Sequence, residues 1–369
     1  MDKIESKRNH REKGENEPSQ KILVVRRGAI GDVLMITPFI KGLQTVFHNS
    51  IIDVLTHPKS LVVLQNNPSI NEILTISHAN SISFWEHRKI INYISKQKYD
   101  LAFILETKKF YSKLVKKGKV KTVIGLSSVS DYYYPLNQHK HVIESYLDLI
   151  ECFSGKTNLQ PKMEVFPSDA QKKRVNDLLN LAKQHETHKF IVIHPGTSAV
   201  KNRFMKNKYG LRFWGLEKFA QLADWLNSHK NLKVIFTGSK QEAMLIKEIM
   251  ALMKTEGLNF SGSLSLLELA ALISKADLFI SGDTGPLHIA TAVGTPVAAI
   301  FGPSLWEQTG PFAPDDKKLL IRKSISCSPC WGTERRKRCK ENLCLQNLTY
   351  EEVRDAIMSK YGDIYSSLA

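Results

Sequence analysis

Lys21–Val46 reads KILVVRRGAIGDVLMITPFIKGLQTV. Four branched aliphatics follow Lys21, then a turn with glycines at 28 and 31, then apolar residues at Val33, Ile36, Ile40 and Leu43. A short unbroken apolar run is what a parallel strand buried on both faces needs. Apolar residues three to four apart mark a helix with one buried stripe. The stretch therefore predicts a strand over Lys21–Val25, a turn over Arg26–Gly31 and a helix over Asp32–Val46, the opening of a βα unit.

The same alternation continues outward. Strands are predicted at Ile51–Leu55, Leu101–Leu105 and Val120–Ile124, with a helix over Trp85–Lys96 among them. Pro161–Pro167 reads as a linker, and the pattern then restarts. Strands follow at Lys189–Ile193, Lys233–Thr237, Asp277–Ser281 and Pro296–Phe301. Helices follow at Gly215–Ser228, Gln241–Met253, Leu266–Lys275 and Pro286–Val293. A chain of 369 residues exceeds what one core usually spans. The fold class is α/β, with two Rossmann-like units in tandem. Residues 1–20 form a polar tail, 21–165 an N-terminal domain and 166–345 a C-terminal domain. Residues 346–369 hold a helix expected to pack back on the N-terminal domain. Ligands of such sheets gather beyond the carboxyl ends of the strands, so a cleft between two facing sheets is the expected site.

At 42% apolar and 24% charged residues the composition is that of an ordinary globular protein. No apolar run reaches the roughly 18 residues that cross a bilayer, and the first twenty residues lack the apolar region of a secretory signal. A cytoplasmic location is expected, with the tail disordered. The net charge is +16 and clustered. Lys108–Lys121 holds seven lysines and no acid, Arg322–Lys340 seven basic residues against Glu334, and Val200–Arg212 five more. Solvated helix faces explain such clusters, and so does an anionic partner such as phosphate, an anionic membrane or nucleic acid. Of the five cysteines, Cys152 stands alone and reads as a core residue. Cys327, Cys330, Cys339 and Cys344 are grouped. Their irregular spacing leaves two readings, reduced thiols or a zinc knot.

Four places carry chemistry. In Arg26-Arg27-Gly28-Ala29-Ile30-Gly31-Asp32 the glycines let the backbone turn tightly beside a ligand. G-x-G-x-x-G is absent, and a carboxylate stands where a dinucleotide phosphate would dock. Asp32 reads either as a helix cap or as a general base for an acceptor hydroxyl. In Gly282-Asp283-Thr284-Gly285-Pro286-Leu287-His288 a strand ends and a helix opens on proline. Free amides at Thr284 and Gly285, with the helix dipole, make an anion pocket suited to a diphosphate, with His288 on the first turn. His194-Pro195-Gly196-Thr197 and Thr237-Gly238-Ser239 end two further strands and suit backbone contacts to a nucleotide.

Together RRGAIGDVLMITP (Arg26–Pro38), HPGT (His194–Thr197), the run from Gly262 to Pro303 that contains DTGPLHIA, and the cysteine-bearing tail resemble glycosyltransferase family 9, the heptosyltransferases of lipopolysaccharide core assembly. The resemblance covers Lys21 to the C-terminus. It implies a GT-B fold, an N-terminal domain for the acceptor and a C-terminal domain for the nucleotide sugar, and inverting transfer that requires no metal or other cofactor. Asp32 matches the family's proposed base. Asp283 matches a contact to the donor sugar, Thr284 and Gly285 the diphosphate loop, and His288 a histidine beside it. The implied donor is ADP-heptose and the acceptor a phosphorylated lipid A-type glycolipid. The implied place is the cytoplasmic face of the anionic inner leaflet, with no nucleic acid as partner. The donor side takes in Arg212, His194, Thr197, Thr237 and Gly238, the acceptor side Arg26, Arg27, Gly28 and Gly31. One motif departs. Where family members often carry K-x-W-P, this chain has Arg212-Phe213-Trp214-Gly215, preceded by an inserted basic stretch, Val200–Leu211. Arginine still offers a planar fork to phosphate. Two other functions fit parts of the sequence. A nucleotide-sugar epimerase on the same fold would need no acceptor groove. A basic nucleic-acid-binding protein would need stacking platforms or a recognition helix, which the sequence lacks.

Overall fold

The structure, a computed structural model, describes residues 19–77, 82–182, 189–197, 210–230 and 232–362. The predicted disordered tail up to residue 18 and the inserted basic stretch from Val200 to residue 209 lie outside the described residues. The chain divides between Phe166 and Pro167 into two compact units.

The first unit holds β1 (Lys21–Val25), α1 (Ile30–Leu34), α2 (Thr37–Val46), β2 (Ile51–Thr56), β3 (Glu72–Thr75), α3 (Phe84–Gln97), β4 (Leu101–Ile104), α4 (Lys109–Lys117), β5 (Thr122–Gly125), β6 (Tyr132–Tyr133) and α5 (Val142–Ser154). Its six strands are all parallel, in the order β3-β2-β1-β4-β5-β6. On one face Phe39 of α2 meets Phe103 of β4 and Tyr146 of α5 edge-on, with ring centres 5.3 and 6.3 Å apart. On the other, Ile90 and Ile94 of α3 share a core with Tyr111, Leu114 and Val115 of α4.

The second unit holds α6 (Asp169–Leu181), β7 (Lys189–His194), α7 (Leu216–Asn227), β8 (Leu232–Phe236), α8 (Ala243–Leu252), β9 (Leu258–Asn259), α9 (Leu266–Ile273), β10 (Leu278–Gly282), α10 (Gly285–Val293), β11 (Val297–Phe301), β12 (Lys318–Arg322) and, after short helical turns, α11 (Tyr350–Tyr361). Its parallel order is β12-β11-β10-β7-β8-β9. Counted within each unit, the order is the same. The first strand lies between the second and the fourth, as in the doubly wound fold.

Four sequence expectations change, the smallest at Cys152, which is exposed rather than in the core. The helix expected over Asp32–Val46 is two helices, because Pro38 has no N–H to give the Leu34 carbonyl. The Thr37 hydroxyl donates to that carbonyl instead, at 2.9 Å, and also accepts the Glu164 amide at 3.0 Å. Four strands, β3, β6, β9 and β12, join the eight expected from the sequence. All four are outermost in their sheets and mostly half-buried, and they are too short or too polar to show the uninterrupted apolar run of four or more that marks a buried strand. The C-terminal helix belongs to the C-terminal unit. Val353, Ile357 and Tyr361 of α11 enter that unit's core, and the Tyr361 hydroxyl donates to the Val297 carbonyl at 3.1 Å. The link before it is tied down as well. Trp214 Nε1 donates to the Leu348 carbonyl, and Lys218 Nζ donates to the carbonyls of Leu345, Gln346 and Leu348.

Ile357 is fully buried. Ile357→Ala should cost the C-terminal unit about 2–5 kcal/mol. Hydrogen exchange should then quicken in β12 and α7 and stay unchanged in β1 and β4. Faster exchange in the N-terminal sheet instead would contradict this seating of α11.

Candidate active site

In the N-terminal domain β1 and β4 run level, Val25 beside Ile104. The chain then departs from each in a different direction, and Arg26 to Ala29 fill the gap. The Glu106 carboxylate, two residues beyond β4, accepts the Arg27 amide at 2.8 Å and so holds the turn against its neighbour strand. The Ser60 hydroxyl donates to the Gly28 carbonyl at 2.9 Å. Asp32 sits in the first turn of α1. One carboxylate oxygen accepts the Ala29 amide at 2.9 Å, the other the Arg26 guanidinium at 2.8 Å. Cap and solvent-facing carboxylate are thus one and the same, since 37% of the Asp32 side chain remains exposed. Arg26 also donates to the Leu105 carbonyl at 3.0 Å and faces Glu106 at 3.5 Å. Burial opposes its charge, but Tyr146, Asp32 and Glu106 more than offset that, and its pKa rises. Gly28 lies directly under Asp32. A Cβ there would stand 2.1 Å from the Asp32 Cβ.

In the C-terminal domain the equivalent gap lies between β7 and β10, where His194 pairs with Ser281. Asp283 leaves β10 and Thr284 caps α10 in an extended conformation. The Asp283 carboxylate accepts Arg212 at 2.9 Å and the Ser304 hydroxyl at 2.5 Å through the same oxygen. Arg212 also donates to the Asp283 carbonyl at 3.0 Å. The Trp331 ring lies against the Arg212 guanidinium and the Arg336 guanidinium, each 5.1 Å from its centre. The cysteine-bearing segment brings Trp331 there. Its Ser328 hydroxyl donates to the Gly302 carbonyl and its Trp331 amide to the Pro303 carbonyl, at 2.6 and 2.8 Å. The Thr284 hydroxyl is buried and has no hydrogen-bond partner among the described residues. A buried polar atom without a partner at a helix N-terminus, next to a fixed guanidinium, is the makings of an anion site. His288 is buried on the first turn of α10.

The other two predicted loops meet one residue that the sequence reading missed. Glu242 is buried and accepts the Ser239 amide and hydroxyl, both at 2.8 Å. Gly196 passes so close that a Cβ would lie 2.2 Å from a Glu242 oxygen. His194 shares a hydrogen bond with the Thr237 hydroxyl at 3.1 Å, and its other ring nitrogen is 4.0 Å from Glu242. Burial lowers the His194 pKa, and Glu242 only partly opposes this. Thr197 is buried beside them in the chain and Gly238 packs on Ile246 and Glu242.

Every donor-side residue expected from the sequence therefore lies at or just after the carboxyl end of a C-terminal-domain strand, or reaches it as Arg212 does. Glu106, Ser60, Glu242, Ser304 and Trp331 join the predicted sets. Glu106 had a usable signal, a carboxylate one residue past a predicted strand. The lost proline of the family motif also has a reason. Gly215 caps α7 at φ 142°, ψ 148°, a conformation closed to proline. Two of the four grouped cysteines, Cys330 and Cys344, are held toward the unionised thiol by their surroundings. Burial, then Cys327, Cys330 and Cys339, push Cys344 up to about 11, and burial raises Cys330. Among the described residues no three His, Cys, Asp or Glu side chains converge to hold a metal ion.

The model of glycosyltransferase family 9 (heptosyltransferase) matches residues 87–341. The chain belongs to that family. It is a glycosyltransferase, and the family decides against the epimerase and nucleic-acid-binding alternatives. Lipooligosaccharide heptosyltransferase 2 of Campylobacter jejuni is 26% identical, over 89% of this chain and 95% of that protein. The glycosyl transferase family 9 structure from Veillonella parvula superposes with a TM-score of 0.80 at 20% identity, covering 94% of this chain and 99% of that one. The ADP-heptose LPS heptosyltransferase II of E. coli gives 0.73 at 21% identity, with the same coverage. The transferase thus has the GT-B fold of two parallel-sheet α/β domains.

Two outcomes follow from this geometry. Gly28→Ala should displace Asp32 together with the start of α1, lower the melting temperature, and cut transferase turnover by roughly 100-fold in the protein that remains folded; unchanged kinetics would show that the position of Asp32 is unimportant. His194 is neutral in the fold at pH values where a free imidazole takes up a proton. The unfolded chain then binds more protons, so stability falls as pH drops below the ordinary imidazole value. Denaturant unfolding of His194→Gln should lose up to one proton of that slope, about 1.4 kcal/mol per pH unit; an identical slope in both proteins would refute the assignment.

Proposed function

We propose that this transferase moves a heptose, or a closely related sugar, from ADP-heptose to a phosphorylated acceptor of the lipid A and lipopolysaccharide core type, with inversion. The heptosyltransferases among its relatives and the family itself support the sugar and the acceptor class. The observation that carries the reading is the pair of fixed sites at the strand ends. One is a half-exposed carboxylate with two of its acceptor positions occupied. The other is a helix N-terminus with a partnerless hydroxyl and a stacked arginine.

Asp32 takes the proton from the acceptor hydroxyl as that oxygen attacks the anomeric carbon from the face opposite the diphosphate. Arg26 and the Ala29 amide orient the carboxylate and leave lone pairs for the substrate. The diphosphate lies at the start of α10. The Gly285 amide, the Thr284 hydroxyl and Arg212 meet the negative charge that grows on the leaving group, already oriented before the reaction begins. Asp283 holds Arg212 and contacts the donor sugar. His194, Thr197, Thr237 and Gly238 flank the nucleotide. The positive charge needed by the diphosphate comes from Arg212 and the helix dipole, so the reading calls for no metal ion or other cofactor. The enzyme works in the cytoplasm, peripheral to the anionic inner leaflet where such acceptors are held. No described helix is long and apolar enough to cross a membrane.

Asp32→Asn should lower kcat by at least about 1000-fold while ADP raises the melting temperature as it does for the native protein. The sugar in the native product should carry the anomeric configuration opposite to the donor's, read by NMR coupling constants. Near-normal turnover by Asp32→Asn, or retention of configuration, would overturn this mechanism.

A further inference from the structure

The seven-lysine segment takes no part in the proposed transfer chemistry. Lys109, Lys113 and Lys117 lie on the exposed side of α4, four residues apart, with Lys108 just before them. Beside α4 runs α3, and the two share one buried seam through Ile90, Ile94, Tyr111, Leu114 and Val115. His87 of α3 and Phe110 of α4 also meet, with ring centres 5.9 Å apart. At the start of α3, Phe84 and Trp85 stand 65% and 76% exposed, edge to face at 5.7 Å. Arg88, Lys89 and Lys96 are exposed further along the same helix. Lys116 pairs with Asp131 and Lys121 with Asp100. Arg88, Lys89, Lys109, Lys113 and Lys117 make no ion pair among the described residues. The one acid in the first turn of α3, Glu86, is turned to the Ser77 amide at 2.6 Å.

Two bare aromatics cost solubility unless something covers them. Bare aromatics flanked by unpaired cations are the composition of a helix face at a membrane interface. The rings enter the headgroup layer, and the lysines are drawn to anionic lipid. A nucleic-acid groove would space its rings apart so that bases could stack between them, whereas these two rings pack on each other. We propose that the outer face of α3 and α4 docks the transferase on an anionic lipid bilayer. Its position suits a lipid-borne acceptor. α4 starts three residues after Glu106, which holds the Arg27 amide. Arg27 in turn lies near Tyr111 of α4, where its charge opposes the rise that burial imposes on that phenol. A bilayer on this face brings headgroups up to the loop that carries Asp32. The inference rests on the reading of the acceptor as a membrane glycolipid.

The test is co-sedimentation with vesicles containing phosphatidylglycerol, against vesicles of phosphatidylcholine alone. The full chain should bind the anionic vesicles, more weakly as salt rises, and brominated lipid should quench its tryptophan fluorescence. Trp85→Phe should lose most of that quenching. Phe84→Ser with Trp85→Ser should lower partitioning roughly tenfold. Lys109→Glu with Lys113→Glu and Lys117→Glu should lower it on the order of 100-fold, at about fivefold per lysine. All these residues are exposed and outside the site, so the variants should keep native melting and native turnover on a delipidated, water-soluble acceptor. They should lose turnover on acceptor embedded in vesicles. Equal binding to both vesicle types, variants that bind like the native chain, or capture by duplex DNA but not by vesicles would overturn the docking face. Absence of turnover on the soluble acceptor by the native protein would instead strike the reading of the reaction, leaving vesicle binding intact.

Discussion

Both domains depend on one topological constraint. In each sheet the first strand lies between the second and the fourth, and right-handed crossovers send the following helices to opposite faces. The chain must therefore diverge at the carboxyl ends of β1 and β4, and again at those of β7 and β10. Backbone amides that the sheet would otherwise pair are left over there, and helix N-termini point outward into the gap. Asp32, Glu106, His194 and Asp283 all stand within a few residues of these four strand ends. The sheets thus set the location of the chemistry, and the loops supply its identity.

At both gaps the same device makes a flexible acid rigid. An arginine holds an aspartate that opens the following helix, Arg26 with Asp32 and Arg212 with Asp283. The details differ in a way that suits different roles. Asp32 spends one oxygen on the Arg26 guanidinium and the other on a backbone amide, and stays open to solvent. Asp283 gives one oxygen to both Arg212 and Ser304, and only 17% of its side chain is exposed. The first arrangement presents a fixed carboxylate to a mobile partner. The second uses the carboxylate to position a cation. Both arginines are largely buried, and for charges out of water the cost of desolvation offsets much of the attraction, so the value of these pairs lies in orientation.

What the sequence made legible follows from burial and distance along the chain. The eight inner strands were readable because they are largely covered on both faces and mostly apolar. β3, β6, β9 and β12, at the sheet edges, carry polar residues and were not. The glycine turns of the site were readable because close approach leaves a local signature, as at Gly28 and Gly196. Its second layer was not. Arg212 and Asp283 are 71 residues apart, and Trp331 reaches Arg212 through a segment whose own sequence, rich in cysteine and arginine, suggested metal or anion binding. Glu242 closes a short helical turn by bonding back to its Ser239 cap and looks like any such capping acid until Gly196 is folded against it. No local pattern records such contacts. The placement of α11 failed for the same reason, since an amphipathic helix does not declare which apolar surface it will cover.

The replacement of lysine by arginine in the K-x-W-P motif then ties the cysteine-bearing segment to the site. A lysine ammonium is a point charge that works from many rotamers, whereas a guanidinium is useful to a phosphate only when its plane is set. Here the plane is constrained from two sides. Asp283 takes two hydrogen bonds from one guanidinium nitrogen, and Trp331 lies against the group. Trp331 has Arg336 against its ring as well and hangs from the Pro303 carbonyl, one residue before Ser304. Ser304 returns to Asp283, which closes a ring of contacts through Arg212, Trp331, the 302–304 loop and Asp283. The segment beyond β12 is thereby part of the framework of the proposed donor site, with Cys330 and Cys344 buried in it and Cys344 against Gly302, the residue after β11.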